Sequence, residues 1–182
     1  MRFRRNIERI AQVMCYEISK SLNFTTESVQ TPLGIAPTNV VADKIVVASI
    51  LRAGLGMVGG MLKLMPTAKV GHIGLCRDEE TFEPHEYYCK LPTNIDQRKI
   101  FVVDPMLATG GSSVAAIKML KDKGCKNIHF MCIIAAPEGV ARMQKEHPDV
   151  DIYVGALDEK LNDHGYIVPG LGDAGDRIFG TK

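Results

Sequence analysis

The sequence predicts an α/β domain with a doubly wound, mostly parallel β-sheet. The main indication is a set of continuous apolar runs, which are typical of strands covered by helices on both faces. These runs alternate with segments of helical character, and such alternation favours parallel strands joined by helices. The length of 182 residues suits a single domain spanning residues 1–182. Five strands are expected, at residues 44–51, 69–75, 99–104, 127–135 and 151–156.

Four helices are expected before and between these strands, at residues 5–20, 57–65, 112–123 and 137–146. In the first of them, apolar side chains recur at helical spacing and form one face. That face consists of Ile7, Ile10, Ala11, Met14, Cys15 and Ile18. Pro66 ends the second helix, Gly124 ends the third, and Pro137 suits the first turn of the fourth.

Three segments lack a clear helix or strand pattern. Residues 25–43 are rich in Thr, Pro, Gly and Asn, which predicts an extended or irregular course that includes an edge hairpin as one form. Residues 76–94 are polar and rich in turn formers, and their length indicates a functional lid rather than a simple connection. The glycine-rich tail from Leu161 onward is expected to be neither helix nor strand.

Composition excludes several classes of protein. The formal net charge is +1, which argues against a nucleic-acid-binding surface because that normally needs a basic surplus. The five cysteines form no CxxC pair, so thiols in a reducing cytoplasm are expected rather than disulfides or structural zinc. No apolar run approaches the ~18 residues that a membrane-spanning helix needs. The expected protein is a cytoplasmic, enzyme-sized domain that does not bind membranes.

The strongest chemical motif follows the strand at 99–104. The strand ends in a carboxylate, Asp104, and a loop of small and hydroxylated residues leads from Pro105 to a helix that begins near Ser112. Free backbone N–H groups in such a loop, together with the helix N-terminus, favour a phosphate group. Asp104 would repel a phosphate and is better placed to accept from ribose hydroxyls. The motif therefore predicts sugar-phosphate binding, although an ordinary strand–turn–helix with a Ser N-cap remains the alternative.

This stretch resembles the signature of the type I phosphoribosyltransferases, in which acidic residues close a strand and precede a Thr-Gly loop. The family's usual second acid is Pro105 here, and the string Asp-Pro-Met-Leu-Ala-Thr-Gly-Gly-Ser is similar to the uracil-specific branch. The resemblance covers nearly the whole chain. Residues 50–56 match the family's diphosphate loop and residues 77–81 its mobile hood, while residues 135–139 and 162–180 match later landmarks.

The resemblance implies that the protein joins uracil to C1 of 5-phosphoribosyl-1-diphosphate (PRPP), giving UMP and diphosphate in pyrimidine salvage. It implies four catalytic residues, Arg52, Arg77, Asp104 and Asp173. The implied PRPP-binding residues are Arg52, Arg77, Asp104, Pro105, Met106, Leu107, Ala108, Thr109, Gly110, Gly111, Ser112 and Asp173. The implied uracil-binding residues are Ile167, Gly172, Asp173 and Ala174.

The residue types suit these roles. Arg52 and Arg77 each offer a planar fork of donors to a leaving group that gains negative charge. Glycines in the tail expose backbone N–H and C=O groups, which can recognise the fixed donor–acceptor edge of a planar base. Mg²⁺ is expected to accompany PRPP, because clustered negative charges need a hard cation. With Pro105 in place of an acid, few or no direct protein ligands to this metal are predicted.

Two other functions fit the same fold. One is an RNA-binding regulator of pyrimidine operons, which the near-neutral charge and the Gly172–Asp176 string disfavour. The other is a purine phosphoribosyltransferase, a branch that normally keeps the paired acids. The family resemblance also implies a homo-oligomer, at least a dimer. Relatives carry about two dozen more N-terminal residues, which contribute to subunit contacts and in some to a GTP site, so little response to GTP is expected.

Overall fold

The computed structural model describes residues 2–77 and 84–181. The described ranges contain five α-helices, and each predicted helix has an observed counterpart. The bounds of α4 agree with the prediction to the residue, and those of α1, α2 and α3 differ by at most three residues at either end. The helices are α1 (Arg2–Ser19), α2 (Leu55–Leu64), α3 (Gly111–Asp122), α4 (Pro137–Glu146) and α5 (Ala174–Phe179).

The strands within the described ranges form one main sheet and two small ladders. A separate antiparallel hairpin consists of β1 (Phe24–Thr31) and β2 (Gly34–Val41). The strands of the main sheet are β3 (Ile45–Leu51), β4 (Lys69–Arg77), β5 (Pro84–Lys90), β6 (Lys99–Val103), β7 (Met106–Leu107), β8 (Asn127–Ala135) and β9 (Asp151–Leu157). A short antiparallel ladder joins β10 (Lys160–Leu161) to β11 (Ile167–Val168).

The main sheet has the predicted parallel organisation. Its strand order is β5-β4-β3-β6-β8-β9, and β7 pairs with β8 on the same side as β6. Neighbouring strands run parallel except β4 and β5, which are antiparallel. The five predicted strands correspond to β3, β4, β6, β8 and β9, and the α/β prediction is confirmed.

Successive residues of the central strands contribute to two different hydrophobic clusters. Val46 and Val102 belong to a cluster that includes residues of α3 and α4. Val47 and Phe101 belong to a second cluster, which includes residues of α1, α2 and α5. Because both faces of these strands are buried, their sequences are continuous apolar runs, which explains why the pattern predicted them well.

The segment at 76–94 differs from its prediction, because the described part of it contains strand β5. This strand lies at the edge of the sheet, and the side chains from His85 to Tyr88 are exposed. A strand exposed in this way needs no apolar run, so the hydrophobic pattern could not reveal it. The register between β4 and β5 also shifts at Gly74–Leu75.

The tail prediction was wrong at two places: Ile167–Val168 form strand β11, which pairs with β10, and the last residues form α5. Asp173 is the N-cap of this helix, and its Oδ1 accepts a hydrogen bond from the Asp176 N–H at 2.8 Å. Gly180 ends the helix in the left-handed region, with φ of 71°. A second correction concerns α1, where Ile10 is 39% exposed although it was assigned to the apolar face.

The hairpin β1–β2 confirms one of the two forms expected for residues 25–43. Its side chains are mostly exposed, including Leu33 and Ile35, which are 100% and 72% exposed. Within the described ranges no helix is both long and apolar enough to cross a membrane.

Candidate active site

An open cleft of about 290 Å³ lies where β3 and β6 end at the carboxyl edge of the sheet. This is the edge at which doubly wound sheets usually bind ligands. The described residues that line it are Ile50, Leu51, Arg52, Ala53, Leu75, Asp104, Met106, Ala108, Thr109, Gly110, Gly111, Ser112, Ser113, Asp173 and Gly175.

Asp104 enters the cleft because the chain departs from regular pairing directly after β6. The Asp104 N–H donates to Met131 O at 3.2 Å, whereas Pro105 has no N–H to donate. Pro105 O instead accepts from the N–H groups of both Ile133 and Ile134, each at 3.1 Å. Pairing with β8 then resumes in β7. Asp104 and Pro105 thus interrupt the regular pairing along one side of β8. The Asp104 carboxylate lines the cleft at this break.

Protein atoms surround the Asp104 carboxyl, although the residue as a whole is partly exposed to the cleft. This burial, together with the negative charge of Asp173, raises the pKa of Asp104 from its ordinary 3.8 to about 7. A hydrogen bond from the Met106 N–H, at 3.4 Å, acts in the opposite direction. The two carboxylates therefore share one electrostatic environment at the cleft.

This pKa predicts how the pH dependence of stability changes in Asp104→Asn. The folded protein retains a proton on Asp104 between pH 4 and 7 that the unfolded chain has lost, so rising pH destabilises the wild type over this window. Asn cannot ionise, so it is free of this loss. The unfolding free energy of the variant relative to that of the wild type should therefore rise by roughly 3–4 kcal/mol from pH 4 to pH 8. Urea unfolding of both proteins at several pH values measures it. A difference that stays constant with pH would contradict the burial of this carboxyl.

The loop from Ala108 to Gly111 connects β7 to α3 and lines the cleft with backbone. Gly110, with φ of 77°, precedes the helix, and its carbonyl accepts from the Val114 N–H at 2.9 Å. The loop packs against the first turn of α4, where a Cβ on Gly139 would overlap Ala108 O and lie 2.8 Å from Leu107 O. Only glycine allows this close approach of two backbones.

Gly139→Ala should therefore displace the loop. The added methyl group meets backbone carbonyls that cannot rotate away, so we expect a loss of roughly 1–3 kcal/mol in unfolding free energy. Gly59→Ala is a matched control, because its Cβ would meet only the flexible Glu8 side chain, at 3.4 Å. Urea unfolding of the two variants is the measurement, and equal stabilities would show that the contact at Gly139 is unimportant.

Arg52 follows β3 at the opposite side of the cleft. The Leu51–Arg52 peptide bond is cis, and the turn after it packs so tightly that a Cβ on Gly54 would lie 2.7 Å from Ile50 O. The Arg52 side chain is 57% exposed, with Nη2 lying 3.5 Å from Asp176 Oδ1. Its guanidinium also lies over the Phe179 ring at 6.0 Å. Arg52 therefore lies between the cleft and α5 and remains accessible to an anionic ligand.

Comparison with known proteins decides the family. A family model described as uracil phosphoribosyltransferase matches residues 1–181. The uracil phosphoribosyltransferase of Agathobacter rectalis is 62% identical over 181 residues, covering 99% of this chain and 87% of the relative. That of Streptococcus agalactiae is 60% identical with the same coverage. This chain belongs to the uracil phosphoribosyltransferase family.

Solved structures resemble this chain in fold. A protein from Aquifex aeolicus has a TM-score of 0.91 at 40% identity, covering 97% of this chain and 85% of that chain. A hypoxanthine-guanine phosphoribosyltransferase from Bacillus anthracis has a TM-score of 0.59 at 13% identity, covering 87% of this chain and 80% of that chain. At this low identity the second likeness concerns the fold alone, and it confirms the predicted type I phosphoribosyltransferase architecture.

The cleft brings together most of the PRPP-site residues implied by the family. Arg52, Asp104 and Asp173 line it, as do Met106 and the residues from Ala108 to Ser112. Among the described residues, five predicted ones lie outside this lining. These are Pro105, Leu107, Ile167, Gly172 and Ala174.

The five residues outside the lining have identifiable positions. Pro105 and Leu107 are buried: Pro105 directly precedes β7, and Leu107 lies in β7, which pairs with β8. The side chains of Ile167 and Ala174 are also buried, so only their backbone could contact a base. Gly172 is exposed, with φ of 72°, next to the N-cap of α5.

The hood prediction falls mostly on residues that are not described. Arg77 ends β4, but its side chain and residues 78–81 lie outside the described part of the chain. The role of Arg77 therefore stays a prediction.

Six lining residues were not among the named site residues: Ile50, Leu51, Ala53, Leu75, Ser113 and Gly175. Three of them lie in the predicted diphosphate loop at 50–56 and Gly175 lies in the matched segment 162–180, while Ser113 directly follows the predicted Ser112. Leu75 had no detectable signal, because its place in the cleft depends on how β4 pairs with β3.

Proposed function

We propose that this chain is a glycosyltransferase that transfers the 5-phosphoribosyl group of PRPP to uracil. The C1–oxygen bond to diphosphate breaks and a bond from C1 to a ring nitrogen of uracil forms, giving UMP, diphosphate and a proton. The main support for the proposal is that one cleft is lined by the loop from Ala108 to Ser112, by the Asp104 carboxylate and by the accessible Arg52, in a chain that belongs to this family.

The loop from Ala108 to Ser112 is assigned to the 5′-phosphate. It presents backbone at the start of α3, where partial positive charge favours a monoester phosphate. Asp104 and Asp173 are assigned to the ribose, because carboxylates accept from hydroxyls but repel phosphate. Positioning of the sugar between these groups supplies catalysis without a covalent nucleophile.

Arg52 is assigned to the diphosphate. As the bond to C1 breaks, negative charge builds on the leaving group, and a guanidinium stabilises it with two parallel donors. Its exposure leaves it free to turn from Asp176 towards a ligand in the cleft. Arg77 is assigned to the same group by family resemblance.

Mg²⁺ is proposed to enter with PRPP. Among the described residues no group of three or more His, Cys, Asp or Glu side chains could hold a metal alone. The Asp104 and Asp173 carboxylates are close enough to raise the pKa of Asp104, and a hard cation near them would relieve that repulsion. PRPP would supply most of the ligands to the ion, with these two residues contacting it through water, and the ion would neutralise charge on the diphosphate.

Uracil is assigned to the segment that ends in α5. Asp173 and Gly175 line the cleft, and the proposed contacts of Ile167, Gly172 and Ala174 use backbone groups. We also propose that the protein forms a homo-oligomer in the cytoplasm. The exposed apolar side chains of Leu33 and Ile35 on the hairpin support self-association, which size-exclusion chromatography measures.

The test is release of diphosphate by the purified chain with Mg²⁺, PRPP and one base. UMP and diphosphate should appear in equal amounts only when both uracil and PRPP are present. Hypoxanthine in place of uracil tests the purine alternative, and a filter-binding assay with pyrimidine-leader RNA tests the regulator. Absence of UMP, or faster use of hypoxanthine, would overturn the proposal.

A further inference from the structure

Arg177 closes the short loop that carries most of the proposed uracil contacts. Its Nη1 donates to Leu171 O at 2.7 Å, and its backbone N–H donates to Asp173 O at 3.2 Å. Gly172 and Asp173 lie between these two anchoring carbonyls, and Ala174 follows directly. The second bond is part of the helix backbone, so the specific contribution of the Arg177 side chain is its bond to Leu171 O, made from outside the cleft lining.

The guanidinium of Arg177 is itself held by an aromatic ring. Its Cζ lies 3.9 Å from the centroid of the Phe3 ring, in the first turn of α1. A planar guanidinium can stack on a ring and donate in its own plane at the same time, whereas a lysine ammonium cannot do both with this geometry. Phe3 therefore determines where the donor to Leu171 O lies.

The same turn of α1 also holds the far end of α5. Arg4 Nε donates to Ile178 O at 2.8 Å, and the Ile178 side chain is buried in the cluster shared with α1. The first turn of α1 thus contacts α5 and the loop before it through two successive residues, Phe3 and Arg4. Movement of this turn would be transmitted to the backbone at Gly172 and Ala174.

We propose that Arg177, stacked on Phe3, is a positioning residue for recognition of uracil. It acts through the Leu171 carbonyl on the backbone from Gly172 to Ala174. The proposal rests on the proposed function, since it assumes that this backbone binds the base. It differs from a purely structural role because the effect falls mainly on the KM for uracil: the Asp173 carboxylate, which is assigned to the ribose, is held separately by the Asp176 N–H.

Two substitutions separate the parts of this arrangement. Arg177→Lys retains the charge and loses the stacked fork, while Phe3→Leu retains an apolar side chain and loses the ring face. In each, the KM for uracil should rise about ten-fold, because one charged hydrogen bond is loosened. The KM for PRPP and kcat should stay within about two-fold of wild type. Phe3→Tyr keeps the ring face and should retain wild-type kinetics.

The two effects should not add, because both substitutions disrupt one interaction. The double variant should therefore resemble Arg177→Lys in its KM for uracil. Tyr16→Leu is the matched control: it removes the other cation–π pair of α1, in which Lys20 Nζ lies 5.4 Å from an exposed ring, and should change neither KM. An unchanged KM for uracil in both single variants would overturn the proposal. Equal increases in both KM values would overturn it too, since they indicate general damage.

Amide hydrogen exchange tests the same inference without activity. Exchange at the Gly170 amide, which precedes Leu171 and donates to Asp158 Oδ2 at 3.0 Å, should be about ten-fold faster in Arg177→Lys, because the loop loses its anchoring donor. Unchanged exchange would overturn the positioning role. If the wild type makes no UMP, the proposed function fails, and the exchange result alone then decides whether Arg177 orders this backbone.

Discussion

Cytosine is expected to be a poor substrate, with kcat/KM roughly 10⁴-fold below that of uracil. Uracil offers a ring N–H donor between two carbonyl acceptors, whereas cytosine replaces one carbonyl with an amino donor and the N–H with an acceptor. Main-chain groups at Ile167, Gly172 and Ala174 cannot rotate or change protonation to suit the wrong base. Cytosine would therefore oppose donor to donor and leave buried backbone groups unpaired. Competition between the two bases in one assay measures the ratio.

Two variants test whether backbone groups or the Asp173 side chain produce this selectivity. Ala174 is the first residue of α5, a position where proline is compatible with a helix, so Ala174→Pro removes one N–H and should weaken uracil itself. Asp173→Asn keeps an N-cap side chain and should lower turnover while uracil remains preferred over cytosine. Thermal unfolding of each variant confirms that α5 remains folded. Comparable use of the two bases by the wild type would refute recognition by the backbone.

Arg52→Ala is expected to lower kcat/KM by about 100-fold or more, which corresponds to about 3 kcal/mol of transition-state stabilisation. The reason for this loss is that the proposed function assigns the Arg52 guanidinium to the diphosphate. The contact of Arg52 with Asp176 is largely solvent-exposed and contributes little to stability. The variant should therefore unfold at nearly the wild-type temperature. Steady-state kinetics with saturating uracil and varied PRPP give the loss.

A matched control is Arg98→Ala. Arg98 precedes β6 at the other end of that strand, is partly exposed and donates to Thr93 O at 3.0 Å, so its removal should leave kcat/KM unchanged. Arg77→Ala is expected to match Arg52→Ala, on the family resemblance alone. If Arg52→Ala retained wild-type kinetics, the assignment of the diphosphate to this side of the cleft would be wrong.

The sequence predicted those parts of the fold in which local pattern and burial agree. Strands β3, β6 and β8 are covered on both faces and are continuous apolar runs. Strand β5 escaped detection because an exposed edge strand needs no such run. Helix α5 was missed because six residues with glycines on both sides show no helical period, and its stability comes from the Asp173 cap and from packing against α1.

The site was predictable to the extent that its residues follow one another along the chain. Asp104 and the loop to Ser112 form one continuous motif, so the sugar-phosphate prediction needed no tertiary information. The proximity of Arg52, Asp104 and Asp173 could be inferred only from family resemblance, because three separate elements carry them. The raised pKa of Asp104 was not predictable, since it depends on the atoms that enclose the carboxyl.

The interruption at Pro105 extends across three strands of the sheet. Two successive N–H groups of β8, from Ile133 and Ile134, converge on Pro105 O, and the carbonyl of Ile133 faces the next strand. There a Cβ on Gly155 would lie 2.7 Å from Ile133 O, so β9 accommodates the distortion only with glycine. A side chain at Gly155 would push the Ile133 backbone towards Pro105 and thereby shift Asp104. A position two strands away from the cleft thus contacts the backbone that accommodates the break at Pro105, and substitution of Gly155 is expected to lower activity without any contact with substrate.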